Sequence, residues 1–542
     1  MLARACVKLF LRNVNTSSYR TKALYDYLLS VAGDNSGETD ARISACKLLF
    51  RLRSDSNNAI FLISASESES IAAVLSRMSE TAPRESGGGQ VAQSHFTRSE
   101  ERTASTREIR NISGEGAHTG ASRIRSGRVT KPIPLSWLYP GLKGLPEEPP
   151  QTASHLLYSY LSDSDKEHKE LAQLNTGIFL ELVIKLLQQG PDWEVYSYIL
   201  VHLAAQLTNK PLFVDAVQQI RILRGVICEQ LRNQSFYEPP AHTSLKKADV
   251  AVCLLHILTI LIGYHSHFTK SEEDDMVKAF YNNITHHDRA PKWCIHALAI
   301  CCHELPRSIT AHLSGILQRM QMIITQPSLA IHILEFLACL SRMPHLYNQS
   351  FTDNEFKIIF GMCIRYLQTA REKRDRDSNT ALKRTSNPTL RQHIGLHEAV
   401  ASMELESRGK GKQAQDDLPQ YVYSLAYHVV TFWFLSVRMQ DRHKHFDWLV
   451  KGLTYQDKDG RDVREDQAIV TIDFMQRTTY SDRDETAPRK NWSTPETDGE
   501  VLKKSWIVGH SIVTIETAGR TGLSQITRHR PVSYLDPLSN LR

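Results

Sequence analysis

The chain has 542 residues, with 65 Lys and Arg against 59 Asp and Glu, 41% hydrophobic residues and a net charge of +6. At roughly 150 residues per domain, this length allows about three domains or one long array of smaller units. A charge of +6 spread over so many residues excludes the dense basic surface that would predict nucleic-acid binding.

Neither membrane insertion nor secretion is predicted. The best apolar run, residues 250–263, is shorter than the ~20 residues of a spanning helix and contains His256. The nine cysteines are scattered without paired spacing, which favours a reducing compartment over a disulfide framework. Lys8 interrupts the apolar start of the chain, so we predict an amphipathic helix there rather than a signal peptide. We expect a soluble cytoplasmic protein without a transmembrane segment, and peripheral association with endomembranes stays open.

Residues 1–78 are predicted to form N-terminal helices, and residues 79–131 to form a disordered linker. The linker is crowded with Ser, Gly, Thr, Glu and Arg and includes Gly87-Gly88-Gly89. Such a composition cannot bury enough apolar surface to offset the entropy cost of ordering the chain. Ser105 follows Arg102 in a context that suits basophilic kinases, so it is a candidate phosphorylation site.

Helical periodicity dominates residues 132–370, which we predict to form an α-solenoid of HEAT/ARM-like stacked helices. Short connections and the lack of a strand pattern favour stacked pairs, whereas a compact helical bundle is the alternative. Pro211, Pro291, Pro306 and Pro327 precede or begin helices, where the missing N–H is harmless. The predicted helices are Thr176–Gln188, Trp193–Leu207, Leu212–Leu231, Val250–Gly263, Trp293–Glu304, Ile309–Ile324 and Leu329–Arg342.

The C-terminal third combines a linker, a helical segment and a small β-containing unit. Residues 371–417 are predicted to be a second, basic disordered linker, in which Thr385 and Ser386 follow Lys383-Arg384 as candidate phosphorylation sites. Residues 418–455 form the helical segment, with Gly452 as its expected terminator. Within residues 456–542, the β-branched stretches Gln467–Thr479 and Ser505–Thr517 are predicted strands, and Leu523–Thr527 returns as another.

No catalytic, cofactor or metal site is predicted. Cys294, His296, Cys301, Cys302 and His303 lack the two close pairs of a structural zinc site, and buried cysteine packing explains them better. Gly87-Gly88-Gly89 is not followed by the Lys-Ser/Thr of a phosphate loop. The sequence also contains no Gly-x-Ser-x-Gly nucleophile elbow. An enzyme interpretation of this chain therefore has no positive support.

Two blocks of sequence resemble the tuberin family of GTPase-activating proteins. The first contains Tyr427-His428-Val429-Val430, Trp433-Phe434, Arg438 and Lys451-Gly452-Leu453, and is similar to the helical domain of that family. The second runs from Lys504-Ser505-Trp506 to Arg520-Thr521-Gly522-Leu523-Ser524-Gln525, and is similar to the segment before the catalytic domain. The specific matches cover about residues 421–530, whereas the region from roughly 150 to 370 resembles the family only in its helical character.

The resemblance implies a negative regulator of growth signalling. It implies association with a hamartin-like subunit, action on a Rheb-type small GTPase that restrains the TOR kinase, and self-association near the Trp506 strand. Among the matching residues, the candidate interface consists of Trp433, Phe434, Arg438, Trp506 and Arg520.

In this family a Rap-GAP domain that supplies a catalytic asparagine follows the Thr-Ala-Gly-Arg-Thr-Gly block. The sequence ends at Arg542, so we expect catalysis to lie in a domain missing from this chain. The chain is then the non-catalytic scaffold portion of a tuberin-like activator that contributes partner binding and dimer geometry. The alternative is a HEAT-type adaptor in trafficking or nuclear transport without a link to GTPases.

Overall fold

A computed structural model describes the chain as two units. Its described residues are 1–75, 152–190, 192–243, 245–385, 409–456, 460–480, 501–508, 511–518 and 524–529. The first unit spans Met1–Thr479 and the second Tyr480–Arg542. The predicted linker at residues 79–131 lies outside the described residues, and so do Ser105 and Arg520.

The first unit begins with four helices and small strand pairs. The helices pack around Val7, Phe10, Tyr25 and Leu28, which are all buried. This block joins the next helices through Gln206, whose Nε2 donates to the carbonyl oxygen of Leu49 at 2.9 Å. Its elements are α1 (Leu2–Asn13), α2 (Ser18–Gly33), α3 (Thr39–Leu49), β1 (Leu52–Ser54), β2 (Ile60–Leu62), α4 (Ala65–Leu75), β3 (Leu157–Tyr158) and β4 (Ala172–Gln173).

Five helical pairs follow and form the body of the unit. The first helices of the pairs begin at residues 176, 217, 270, 306 and 353, a spacing close to the ~40 residues of HEAT-like repeats. The pairs are α5 (Thr176–Gln189) with α6 (Trp193–Leu207), α7 (Val217–Asn233) with α8 (Lys247–Leu261), α9 (Lys270–Asn283) with α10 (Pro291–Glu304), α11 (Pro306–Ile323) with α12 (Pro327–Leu340), and, after the short α13 (Pro344–Tyr347), α14 (Asp353–Thr385) with α15 (Gly409–Ser436).

The pairs stack into two layers. One layer follows the contacts α5–α7–α9–α11–α14, and the other follows α6–α8–α10–α12–α15. Each helix is therefore covered by its pair partner and by its neighbours within the layer, which explains why α8 and α12 are apolar on more than one face. The arrangement confirms the prediction of a mainly α, solenoid-like fold.

Prolines and capping side chains set helix starts, although α7 begins at Val217 rather than at the predicted Leu212. Pro291, Pro306 and Pro327 are the first residues of α10, α11 and α12. Asn175 caps α5 by accepting from the amide of Ile178 at 3.0 Å. Thr269 and Glu272 form a capping box at the start of α9.

The first unit ends with two helices and a short β-hairpin. The helices are α16 (Arg442–Leu453) and α17 (Asp466–Thr479), and the hairpin pairs β5 (Tyr455–Gln456) with β6 (Asp462–Val463). Gly452 lies inside α16, which ends one residue later, so it is not the helix terminator that the sequence predicted. A Cβ there would come within 2.5 Å of the Ile364 side chain on α14, so close helix packing explains this glycine.

The predicted strand at Gln467–Thr479 is wrong, because these residues form α17. Their β-branched residues favour a strand, but the buried positions Ala468, Thr471, Ile472 and Met475 recur at helical spacing. This stripe packs against α15 and α16, and tertiary packing outweighs intrinsic strand preference.

The predicted disordered linker at residues 371–417 is wrong at both ends. Residues 371–385 continue α14, and residues 409–417 begin α15. Arg371 is buried, and its guanidinium lies 4.7 Å from the ring of Tyr455. Side-chain packing at this start of the segment offsets the cost of ordering a polar sequence. Residues 386–408, including Ser386, lie outside the described part of the chain.

The second unit contains a three-stranded antiparallel sheet of β7 (Val501–Val508), β8 (Ser511–Ala518) and β9 (Ser524–His529). The predicted strand Ser505–Thr517 is in fact two strands, joined as a hairpin in which Val508 pairs with Ser511. The returning strand predicted at Leu523–Thr527 is confirmed as β9. The register places Leu502, Trp506, Val508 and Ile526 on one face of the sheet, where all four are exposed.

One stretch, Lys247–His267, is long and apolar enough to span a membrane by length and composition. It comprises α8 and the 3₁₀ turn that follows, and 67% of its apolar window is buried in the fold. Such burial is typical of a core helix packed between neighbours.

Candidate interaction surface

Helix α15 is held by an aromatic cluster centred on Trp433. This indole is fully buried and donates its Nε1–H to the carbonyl oxygen of Leu337 on α12 at 3.0 Å. The ring stacks on Phe351, with 5.7 Å between centroids, and lies 4.8 Å from the ring of Tyr347. Phe434 is also fully buried. The prediction that Trp433 and Phe434 are interface residues is therefore wrong, because both belong to the core of the first unit.

A polar cluster at Glu465 fixes α17 against α14 and α15. The carboxylate accepts from the hydroxyl of Tyr427 at 2.9 Å and from the hydroxyl of Tyr423. It also accepts from the guanidinium of Arg374 at 2.8 Å. Burial by itself would raise the pKa of Glu465, but the Tyr423 and Tyr427 hydroxyls and the arginine charges outweigh it and lower that pKa. The cluster thus keeps a charged carboxylate at the junction of three helices.

The guanidinium of Arg442 joins the C-terminal ends of α15 and α17. Arg442 donates to the carbonyl oxygens of Leu435 and Val437 at 3.1 Å each, and to that of Thr478 at 3.0 Å. The last turns of α15 and α17 each leave carbonyls without helical partners, and an arginine fork suits both. Glu465 and Arg442 therefore fix α17 beside α15 at its two ends.

An apolar ridge faces outward along α15. It consists of Tyr421, Leu425, His428, Phe432 and Leu435, which recur every three or four residues. Tyr421 and Leu435 are 50% and 48% exposed, and the His428 ring stacks on that of Phe432 at 6.2 Å. At ~100° per residue the ridge is centred about 120° around the helix from Trp433, so α15 is apolar both toward the core and toward solvent.

Grooves flank the ridge on both sides. The groove between α12 and α15 has a volume of about 500 Å³ and is lined by Glu335, Ala338, Cys339, Arg342 and four ridge residues. The groove between α15 and α17 has a volume of about 440 Å³ and is lined by Ser424, Thr431, Gln467, Val470 and Phe474, among others. His428 lines both grooves. Val470, at the outer wall of the second groove, is 69% exposed.

This surface has the composition of a protein-binding site rather than of a catalytic site. Aromatic side chains project between two grooves, and the Arg342 guanidinium lies 6.0 Å from the Phe432 ring at one edge. Aromatic residues and arginine are enriched where proteins bind one another. No group of three or more His, Cys, Asp or Glu that could hold a metal ion occurs among the described residues.

The other predicted site residues are dispersed. Arg438 is exposed two residues after the end of α15. Trp506 is 47% exposed, but it lies in the second unit. Thr385 is the last residue of α14. Cys294, Cys301 and Cys302 are buried on α10, whereas His296 is exposed, which agrees with cysteine packing in the core.

Sequence reasoning missed the ridge itself. Within α15 it named Trp433 and Phe434 as interface candidates, and both are buried in the core. The signal that identifies the ridge is a second apolar stripe, from Tyr421 to Leu435, on a helix that already has a complete core stripe. Exposed and buried aromatic stripes look alike in a single sequence.

Comparisons with known proteins place the chain near the tuberin family. Residues 143–373 match the family model named Tuberin. The chain is also similar to the tuberous sclerosis 2 protein homolog of Schizosaccharomyces pombe (strain 972 / ATCC 24843), with 28% identity over 367 residues. That similarity covers 67% of this chain and 24% of the relative, so the chain spans about a quarter of the relative's length. The family match therefore covers earlier helices of the chain, whereas the two sequence blocks that resemble the family lie within residues 421–530.

Proposed function

From the premise that the chain is a tuberin-type protein, we propose that it is the scaffold portion of a tuberin-like GTPase activator. In this role it acts through binding and dimer geometry, and catalysis belongs to another domain of such an activator. The target is a small GTPase of the Rheb type, and the outcome is restraint of TOR signalling. The premise comes from the Tuberin match at residues 143–373 and the similarity to the fission-yeast protein.

The exposed ridge on α15 is the observation that carries the proposal. The ridge lies on the last helix of the layer α6–α8–α10–α12–α15 and has a groove on each side. A partner helix that places apolar residues at i, i+3 and i+4 in these grooves would bury the ridge. We propose that the ridge binds a hamartin-like subunit.

Charge substitutions on the ridge test this binding. Tyr421→Glu with Leu435→Glu should weaken binding to a purified hamartin-like subunit at least tenfold in biolayer interferometry, since both side chains are exposed and belong to the ridge. The matched control is Ile222→Glu on α7 in the other layer, which is 50% exposed and should leave the affinity unchanged. Equal affinities of the ridge variant and the wild type would contradict the proposed site.

A hydrolysis assay tests the non-catalytic role. The purified chain should not accelerate GTP hydrolysis by a Rheb-type GTPase, measured as phosphate release in single turnover. A catalytic-domain protein of the same family serves as the positive control. Acceleration by this chain would overturn the scaffold assignment. The lack of any binding to a hamartin-like subunit would instead favour the HEAT-type adaptor.

The sheet of the second unit supports a role in homodimer geometry. Its face with Leu502, Trp506, Val508 and Ile526 is exposed, and apolar sheet faces are commonly covered in assemblies. Trp506→Lys should lower the mass measured by light scattering from dimer to monomer. Ile507→Lys on the opposite face, where Ile507 is 83% exposed, is the control. An unchanged mass in the Trp506 variant would exclude this face from the dimer contact.

For localisation, we propose a cytoplasmic protein that associates peripherally with endomembranes. Cell fractionation should recover it in the cytosol and in a membrane fraction from which alkaline carbonate releases it. Retention after carbonate would contradict peripheral association.

A further inference from the structure

A third groove opens in the first unit between α8 and α10, away from the ridge. It has a volume of about 460 Å³, within the ~300–1,000 Å³ range of typical ligand sites. Its apolar wall includes Ile260, Trp293 and Ile300. Sequence reasoning did not identify this site, because its residues come from separate helices.

The polar residues of this groove are mostly basic. Lys210, His256, His265 and His296 line it, and Glu304 is the single carboxylate among the lining residues. The Glu304 carboxylate lies 3.3 Å from the Nε2 atom of His265. Lys292 lies beside the groove, with its ammonium 5.3 Å from the Trp293 ring. The groove therefore combines an apolar wall with two lysine charges, Lys210 in its lining and Lys292 beside it, against one lining carboxylate.

His256 lacks a partner at the floor of the groove. Its Nε2 atom is buried without a hydrogen bond, and its ring packs edge-on against Trp293 with 4.4 Å between centroids. Burial lowers the pKa of His256 to about 4, and the nearby His296 adds to the effect. At neutral pH the ring is uncharged and one of its nitrogens has an unmet hydrogen-bonding capacity, which a bound group could satisfy.

We propose that this groove is a docking site for a short acidic segment of a partner protein. A Leu- or Phe-sized side chain of the segment packs against Trp293 and Ile300, and an Asp or Glu carboxylate nearby meets Lys210, His256 and His296. Charge complementarity selects this occupant, because a basic groove with an apolar wall disfavours cationic or wholly polar segments.

Selection from a library of random dodecapeptides displayed on phage tests the proposal with the full chain as bait. We expect enriched sequences with an aromatic or aliphatic residue and an Asp or Glu a few positions away. Fluorescein-labelled synthetic copies of those peptides should then bind about tenfold more weakly to the variant Lys210→Glu with His296→Glu. Both side chains are exposed, so the variant should fold normally, which circular dichroism checks.

Lys185→Glu is the matched control. It makes one of the same charge changes at an exposed position of α5 in the other layer, and peptide affinity should be unchanged. Failure to enrich acidic peptides, or equal binding to the groove variant, would overturn the proposal.

The chain's own residues 133–148, with Trp137 and Glu147, are the competing occupant. If Trp137→Ala with Leu138→Ala raised peptide affinity more than tenfold, the groove would serve this segment and a partner site would be ruled out. An affinity unchanged by that variant supports the partner site. A loss of peptide binding with intact binding to a hamartin-like subunit would separate this site from the ridge.

Discussion

Trp433 shows how one side chain can be misassigned from sequence and still explain a fold. An indole is large, apolar and carries one N–H, so burial is favourable only where that N–H finds an acceptor. The carbonyl oxygen of Leu337 supplies this acceptor at 3.0 Å, and Tyr347 and Phe351 supply aromatic surfaces. The residue therefore joins α12, α13 and α15 from inside and also contacts Phe356 of α14, so its role is stability rather than binding.

Removal of this indole should strongly destabilise the folded protein. Trp433→Ala should lower the free energy of unfolding by about 3–5 kcal/mol, because it opens a cavity and removes the hydrogen bond from the indole to the Leu337 carbonyl. Chemical denaturation followed by circular dichroism measures the change. Trp448→Ala is the control, since that residue is 43% exposed and should cost less than about 1 kcal/mol. Similar losses in the two variants would contradict the core role of Trp433.

Glu465 predicts a pH dependence of stability. Its folded-state pKa is lowered from its usual 4.5, so the folded state favours the charged carboxylate more than the unfolded state does. Its contribution is fully present above pH 4.5 and is lost as the pH falls through the lowered folded-state pKa. Glu465→Gln should therefore destabilise the protein at pH 7 and have a smaller effect at pH 3.

Urea denaturation of Glu465→Gln and the wild type at both pH values measures this difference. Glu335→Gln on α12 serves as the control and should show no comparable pH dependence. A difference between wild type and Glu465→Gln that is as large at pH 3 as at pH 7 would exclude the carboxylate charge as its source.

At the scale of elements, the sequence predicted the helical pairs well and the C-terminal elements poorly. The helix Trp193–Leu207 has its predicted bounds, and Pro291, Pro306 and Pro327 begin the next helices as expected. Long apolar segments with helical periodicity and an initial proline can be assigned as helices from the sequence alone. The helix at Asp466–Thr479 cannot be assigned in this way, because its β-branched residues become helical only through packing against α15 and α16.

The Glu465 cluster and the α8–α10 groove could not be predicted from the sequence for a related reason. Each brings together residues from helices far apart in the chain, such as Arg374 with Glu465. A single sequence shows which residues could share one helix face, but not which faces meet.

Close approach between α14 and α16 leads to a prediction at this scale. Gly452→Ala should destabilise the protein by about 1–3 kcal/mol, because the new Cβ would overlap the buried side chain of Ile364. Gly225→Ala on α7 is the matched control. A Cβ there meets nothing within 4 Å, so it should stabilise the helix by roughly 0.5–1 kcal/mol. Thermal unfolding of both variants gives the signs, and stabilisation by Gly452→Ala would contradict the packing.

At the scale of the whole molecule, thiol accessibility distinguishes the interior of the first unit from its surface. All nine cysteines are free, and only Cys339 is exposed, at the groove between α12 and α15. Burial also suppresses the reactive thiolate, and it raises the pKa of Cys46 and Cys253 to about 12. Ellman's reagent should therefore label about one thiol rapidly in the native protein and all nine in denaturant.

Cys339→Ser should remove the rapid phase of this labelling. Cys302→Ser, a buried cysteine on neighbouring α10, is the control and should leave the rapid phase intact. Rapid labelling of several thiols in the native protein would contradict the packing of the two layers.

The last helical pair has a further consequence for how the chain can be divided. Its helices end at Thr385 and begin at Gly409, yet Trp433 and the Glu465 cluster hold them through side chains rather than through their connection. A break between the two helices would turn their contact into an association of two fragments, which the buried side-chain contacts favour at sufficient fragment concentration. Two co-expressed fragments divided between residues 386 and 408 should therefore reassemble, and the site could accept a reporter split into halves.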